Sequence, residues 1–367
     1  MNLLKLKKQN LLGYVLVAQL FLYFFYLKTS NYIFLGLYFS TFIPLVIFIA
    51  TQRFKRSSFF AFFLIVLVFV IFSINSNQYP ALISIYNFLY GIIAFFSAYA
   101  LFKIDTPTKY IKLVFWPYLI FLIYLFATLG FSDPGLYNEV LANSSRNYLS
   151  AILILIMVLL ALSFEKEKKN IPLIYPFLTF FCCVGLVGRS GIALSALFLL
   201  FCLFKQKNFK LMIASITTIA VIIALNFSTI EYFISEKTNF INGLNSERSI
   251  FLHEYLHNIT YNYSELFFGR RLQNCCQFII LFENTHNSFI MGHLRYGIAH
   301  TIFSIGIFIY ILLSRNITFI LFGLIILSRF SVDQLGLFTP FDIVLYYLLF
   351  IIYQSKRKNN RLNVPHY

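Results

Sequence analysis

Long apolar runs recur along nearly the whole chain, and no other feature limits its fold so tightly. They fall at 11–27, 31–50, 58–74, 81–102, 110–130, 147–164, 171–187, 190–204, 211–229, 296–313, 317–331 and 338–353. Most approach the roughly 17–25 residues that cross a hydrocarbon core about 30 Å thick, the run at 317–331 being among the shorter ones. Backbone at that depth must satisfy its own hydrogen bonds, so each run reads as a helix. The expectation is an all-α polytopic membrane protein with about 12 transmembrane helices and one large outer loop. Composition agrees: 11% of the 367 residues are charged and 60% are hydrophobic, against roughly 25% charged in a soluble domain.

The formal net charge of +16 raises nucleic acid as a partner, and the placement of the charges argues against it. With the N-terminus inside, Lys5, Lys7 and Lys8, Arg53, Lys55 and Arg56, and Lys103, Lys109 and Lys112 all fall on the cytoplasmic side. So do Lys166, Lys168 and Lys169, Lys205, Lys207 and Lys210, Arg315, and the tail with Lys356, Arg357, Lys358 and Arg361. The opposite side receives Lys28, Arg146, Arg189, Lys237, Arg248, Arg270, Arg271, Arg295 and Arg329. Twenty of the 29 basic residues are then inside and nine outside, as the positive-inside rule requires. Both ends are expected in the cytoplasm. The first run has a basic lead but is followed by Lys28-Thr29-Ser30-Asn31 without a small-residue cleavage pattern, so it reads as a retained anchor.

The expected division is 1–229 for the first nine spans, 230–285 for the outer loop, and 286–367 for the last three spans and tail. The loop carries six of the thirteen acidic residues. Within it, 247–259 places Phe251, Leu252, Tyr255, Leu256 and Ile259 on one helical face, the pattern of an amphipathic helix at a membrane surface. A long loop that is not low in complexity is usually functional, so the site is expected to face outward. Cys275 and Cys276 lie in this loop, and Cys182, Cys183 and Cys202 in spans. Neighbouring cysteines rarely bridge, so all five read as small apolar residues.

Chemistry is limited first by what is missing. The chain has no Asp-x-Asp pair, no phosphate-cradling glycine loop and no Gly-x-Ser-x-Gly elbow. Asp342 and Asp333 are the carboxylates nearest a span interior, which disfavours an ion-coupled transporter. The outer face instead holds seven arginines against Lys28 and Lys237. A guanidinium grips phosphate in two-pronged fashion, which an ammonium does not. Arg189 lies in the short turn Val187-Gly188-Arg189-Ser190-Gly191, where a charge is costly without an anionic partner; the alternative is an arginine snorkelling to headgroups. Arg248 opens the amphipathic helix, and Arg270 and Arg271 follow Phe267-Phe268-Gly269; anionic headgroups are the alternative ligand for these three. His286, His293 and His300 are spaced by seven and form one stripe on an unbroken helix. Each step of seven rises about 10 Å, so they cannot share a metal. His286, at the outer boundary, can accept a proton from a hydroxyl, or serve only as a hydrogen-bonded structural residue.

The string from His286 to His300 resembles the signature of the O-antigen polymerase and O-antigen ligase superfamily: His, then Asn, Ser or Gln, nine residues, Gly, two residues, then Gly, Thr or Tyr. His286, Asn287 and Gly297 match, and the last position departs, being His300. Arg189 between Gly188 and Ser190-Gly191, Arg248 before a helix, and Glu265-Leu266-Phe267-Phe268-Gly269 are similar to further features of the family, and Asn147 more loosely so. The likeness covers roughly 140–305, with topology alone agreeing before that.

The resemblance implies a glycosyltransferase of the bacterial inner membrane, its site facing the periplasm. It implies undecaprenyl-diphosphate-linked glycans as substrates, membrane lipids and a chain-length regulator protein as partners, and no nucleic acid, cofactor or metal. Arg189, Arg248 and His286 are then expected to be catalytic, the arginines at the diphosphate leaving group and His286 as base. Arg270, Arg271 and Asn287 are expected to bind substrate. Three readings remain: a repeat-unit polymerase, a ligase moving finished glycan onto lipid A core, and a flippase for lipid-linked sugars. The flippase is disfavoured by the single large loop and the lack of mirrored halves. The polymerase is preferred over the ligase because polymerases are the more varied set.

Overall fold

The structure is a computed structural model that describes residues 3–131, 133–142, 144–207, 213, 217, 247–282 and 285–362. The expected ninth span at 211–229, the loop portion 230–246 with Lys237, and Glu283 lie outside the described residues apart from positions 213 and 217. Every regular element among the described residues is helical. They are α1 Leu3–Thr29, α2 Tyr32–Ser40, α3 Phe42–Ala50, α4 Arg56–Ile74, α5 Ala81–Lys103, α6 Pro107–Leu129, α7 Arg146–Lys166, α8 Ile174–Gly185 and α9 Arg189–Lys205. Then come α10 Glu247–Leu256, α11 Tyr263–Phe268, α12 Gln277–Phe282, α13 Ser288–Leu312, α14 Ile317–Val332 and α15 Asp342–Leu362.

Seven helical stretches among the described residues are long and apolar enough to cross a membrane: Gln9–Thr29, Tyr32–Ala50, Arg56–Ile74, Ala81–Lys103, Pro107–Leu129, Arg146–Lys166 and Ser288–Leu312. Ile174–Gly185 and Ile317–Val332 are shorter apolar helices. The most apolar part of α4 is only 11% buried, and Phe59, Phe60 and Phe63 stand largely exposed on it. A water-facing surface does not carry such a helix, whereas hydrocarbon does. The chain is a helical membrane-spanning protein.

The chain divides into two compact units, Met1–Leu12 with Ser40–Ile104 and Asn245–Tyr367, and Gly13–Phe39 with Asp105–Leu244. In the second unit α7 packs against α6, α8 and α9, and its residues Leu149–Phe164 are buried without a break. Small residues allow the closeness, since a Cβ on Gly191 of α9 would lie 2.8 Å from Ser150 Oγ on α7. At one end Glu165 pairs with Lys205, tying α7 to α9. Glu167 accepts from the Thr108 backbone N–H at 3.0 Å and hydroxyl at 2.6 Å, holding the start of α6.

In the first unit α5 packs against α3, α4 and α15, and α13 against α4 and α14. Phe69, Phe88, Tyr296 and Phe338 meet in a buried aromatic cluster. Phe338 stands edge-on to Phe69 and Phe88 with centroids 4.7 and 4.8 Å apart, the favoured geometry for such pairs. The α14–α15 connection is fastened to the first residue of α13: Ser288 Oγ donates to the Asp333 carbonyl at 2.8 Å and accepts from Leu335 and Gly336 N–H groups at 3.0 Å. Asp333 closes an ion pair with Arg329 at 2.5 Å, both side chains fully enclosed. Asp342 accepts from the Leu337 and Thr339 N–H groups at 2.7 and 2.8 Å. The two carboxylates noted in the sequence are thus spent on holding helix ends.

Two sequence expectations change here. The tenth span begins at Ser288 rather than 296, because Asn287 caps it and the break lies inside, at Gly297. Cys275 and Cys276 are joined by a disulfide, with Cα atoms 3.7 Å apart, where two unlinked apolar residues were expected. Cys276 is fully buried beside Leu272 and Ile279.

Candidate functional site

The described part of the loop expected to face outward, 247–282, is folded onto the first turns of α13. Phe251 and Tyr255 of α10, Ile259, Leu272, Cys276 and Ile279 form one buried cluster with Ile290 and Leu294 of α13. Leu252 and Leu256, expected on the same face, are instead exposed. α10 ends at Leu256 and the chain turns at Asn258, whose φ is +58°, so Ile259 reaches the cluster from a separate 3-10 turn.

His286 sits in the link before α13 with φ +47°. Its half-buried ring lies nearly parallel to that of Phe251, centroids 6.0 Å apart. Next to it, Asn287 Oδ1 accepts from the N–H groups of Phe289 and Ile290 at 2.8 and 3.2 Å, the usual N-cap arrangement. That oxygen is therefore committed to the helix, and Asn287 fixes the direction in which His286 leaves it. The Asn287 carbonyl is held in turn by Thr285 Oγ1 at 2.9 Å.

Farther along α13, Gly297 adopts φ +55°, and a Cβ there would collide with the Phe267 carbonyl. Gly269, with φ +88°, approaches from the other side; its Cβ would fall 2.6 Å from Leu294 O. The Phe267-Phe268-Gly269 turn is thus inserted at the break in α13, which frees carbonyls that must find other donors. Ser76 Oγ supplies one to Leu294 at 3.1 Å. Asn77, in the polar run after α4, donates to the Ser264 and Gly269 carbonyls at 2.9 Å each. The break also dissolves the expected histidine stripe: His286 precedes the helix, and Gly297 parts His293 from His300.

Those two histidines are bonded inside the fold. His293 Nε2 faces the Leu266 carbonyl at 2.9 Å, so that nitrogen donates, and Nδ1 accepts from the Tyr255 hydroxyl at 2.6 Å. Burial pushes the Tyr255 phenol up, with the Arg270 guanidinium pulling the other way. His300 Nε2 faces the Leu337 carbonyl at 3.3 Å.

The arginines expected to bind phosphate occupy different settings. Arg270 is buried, its Nε 3.3 Å from Glu265 and its Nη1 donating to the Tyr255 and His257 carbonyls at 2.6 Å each. Asn274 completes the group by donating to Glu265 at 3.1 Å. Arg271, one residue on, is exposed. Arg248 is the second residue of α10, and its side chain lies outside the described residues. Arg189 belongs to the other unit, where it is half-buried as the first residue of α9. A Cβ on Gly188 just before it would lie 2.8 Å from Asn147 Oδ1 of α7, so the two motifs noted in the sequence meet. Gly188 brings no capping side chain to α9, and a helix start of that kind favours anions.

A cavity of about 440 Å³ is lined by residues of α13 and α14, among them Phe289, Ile305, Leu327, His300, Ser304 and Ser331. Among the described residues no three His, Cys, Asp or Glu side chains converge on a point that a metal ion could occupy.

The Glu265–Arg270 and Tyr255–His293 pairs and the 75–79 connection were not singled out in the sequence. The polar string Asn75-Ser76-Asn77-Gln78 between two apolar runs was the one available signal. Comparison with protein-family models, with curated proteins and with solved structures finds no match to this chain.

Proposed function

We propose that this chain is a membrane glycosyltransferase acting on sugars linked to a polyprenyl diphosphate. More particularly, we read it as a polymerase joining undecaprenyl-diphosphate-linked repeat units into O-antigen or capsular polysaccharide. In this reading the chain has about twelve spans, both ends are cytoplasmic, the bacterial inner membrane is its location, and the site faces the periplasm.

The observation that carries the reading is the physical sense of the motif residues. His286 is stacked on Phe251 at the mouth of α13, Asn287 caps that helix, and Gly297 is the only residue type that admits the Phe267 turn at the break. An imidazole so held is suited to take a proton. The acceptor hydroxyl oxygen bonds to the anomeric carbon, the bond from that carbon to the diphosphate oxygen breaks, and the hydroxyl proton passes to His286. The electron pair leaves with the diphosphate, whose growing charge is met by Arg248, on the same unit as His286, in place of a metal. One displacement inverts the anomeric centre. Arg271 contributes charge toward substrate, while Arg270 and Asn287 act by positioning the segments on which Arg271 and His286 stand. The Cys275–Cys276 disulfide supports an outward loop, since disulfides persist in oxidising compartments.

Deleting the protein and resolving surface glycan on a gel tests the assignment. A lost polymerase leaves acceptors capped with a single repeat; a lost ligase leaves bare core and accumulating lipid-linked polymer. His286→Ala is expected to lower polymer by roughly 10²–10⁴-fold with normal protein in the membrane. A full-length ladder from that variant would remove His286 from the chemistry.

A further inference from the structure

We infer that Arg295, braced on Tyr79, forms a binding site for a phosphate group at the outer end of α13, the phosphate being carried by a lipid. Arg295 lies about 10 Å along the helix from Ser288, in a segment that crosses the membrane. It is half-buried, and its Nε, like those of Arg270 and Arg329, is enclosed without a hydrogen-bond acceptor among the described residues. The contact it makes is with the face of Tyr79, 5.5 Å from guanidinium carbon to ring centroid.

Its neighbours show that this is not how the fold treats a guanidinium it needs for itself. Arg270 is buried with Glu265, and Arg329 is buried with Asp333. No carboxylate accompanies Arg295 among the described residues, and a lone charge at membrane depth is held only where an anion or water reaches it.

The platform beneath it is rigid. Tyr79 packs against the buried cluster that contains Leu272 and Leu294. Its N–H donates to Ser76 Oγ at 3.3 Å, and Ser76 Oγ donates to the Leu294 carbonyl. A guanidinium held over a fixed ring keeps its terminal N–H groups for two oxygens of a tetrahedral phosphate, a two-pronged contact. A second cation is carried by the same turn: the Leu272 N–H donates to Gln78 Oε1 at 2.9 Å, which places the backbone of exposed Arg271 beside Tyr79's neighbour. The depth of Arg295 selects a phosphate attached to an acyl or prenyl chain over one free in water.

The test measures binding to the full chain in phosphatidylcholine nanodiscs, with dioleoyl phosphatidic acid and inorganic pyrophosphate as separate probes. Phosphatidic acid should raise the melting temperature of the wild type, and Arg295→Gln should weaken its apparent affinity at least tenfold. Arg295→Lys should lose most of that effect, and Arg315→Gln on the other side none. A pyrophosphate shift with the same Arg295 dependence would show that free phosphate also enters; its absence would assign the site to lipid alone. If Arg295→Gln does not fold, Tyr79→Leu keeps the charge and removes the platform, and it too should bind at least tenfold more weakly. No phosphate-dependent shift in the wild type, or equal shifts in wild type and variants, overturns the inference. The readout is binding, so it succeeds or fails independently of the glycosyl-transfer proposal.

Discussion

Arg270 and Arg271 are adjacent and chemically identical, yet the fold gives them opposite duties. Arg270 neutralises Glu265 in a buried setting and satisfies two backbone carbonyls. Removing one member of such a pair leaves the other charge stranded, at a cost of about 3–5 kcal/mol. Arg270→Gln should therefore lower the thermal unfolding temperature markedly, while Arg271→Gln, at an exposed position, should change stability by less than about 0.5 kcal/mol. Equal melting of the two variants in detergent would show that the Glu265 pair does not stabilise the loop. Gly297 carries a comparable burden through its backbone. A side chain there must adopt a left-handed φ, costing about 1–3 kcal/mol, and would also strike the Phe267 carbonyl. Gly297→Ala should unfold at lower temperature and open the 247–282 segment to protease before the spans are lost. Protease resistance like the wild type's would mean that the turn does not depend on this close approach.

At the scale of elements, Glu167 shows how a helix end can register pH. Burial raises its pKa, but hydrogen bonds from Lys169 and from the Thr108 hydroxyl and backbone, with the Lys169 charge, outweigh that and leave it below the ordinary glutamate value. A carboxylate depressed in the folded state stabilises the fold above its unfolded pKa, about 4.3, and that contribution is lost as pH falls through the lower folded value. The wild type should thus melt higher than Glu167→Gln at pH 7, and the difference should begin to shrink as the pH falls past the unfolded value of about 4.3 and vanish once the folded carboxylate is protonated. A difference that persists in acid would assign the contact to packing rather than charge. Seven of the expected spans were legible among the described residues, because a run of apolar residues needs no partner to declare itself. The surface character of 247–259 was legible as well, but not which apolar residues turn inward; Leu252 and Leu256 stay exposed because the helix stops at Leu256. Contacts such as Asn77 with Ser264, 187 residues apart, leave no periodic trace. The break at Gly297 appeared in the sequence only as one letter of a motif, and its meaning depends on a turn arriving from elsewhere in the chain.

For the whole molecule, the decisive relation is between the two ends of α13. Asn287 caps its start, Arg315 lies just past its end, and at about 1.5 Å per residue its 25 residues exceed the thickness of a hydrocarbon core. In the proposed topology Arg315 is inside, on the charge asymmetry, and the segment before α13 is outside, where a disulfide such as Cys275–Cys276 persists. These two arguments have independent physical origins, one in membrane insertion and one in thiol chemistry, and both favour the proposed orientation. The native cysteines leave the test a low background: Cys275 and Cys276 are bonded, and Cys182, Cys183 and Cys202 are buried. A new cysteine at Tyr261, which is 84% exposed, should react with a membrane-impermeant maleimide applied to cells with a permeabilised outer envelope. Cysteines at Lys168 or Arg315, both exposed, should react only after the inner membrane is opened. If Tyr261 and Arg315 were labelled from the same side, α13 would not cross the bilayer, and His286 would lose the periplasmic position that the proposed transfer requires.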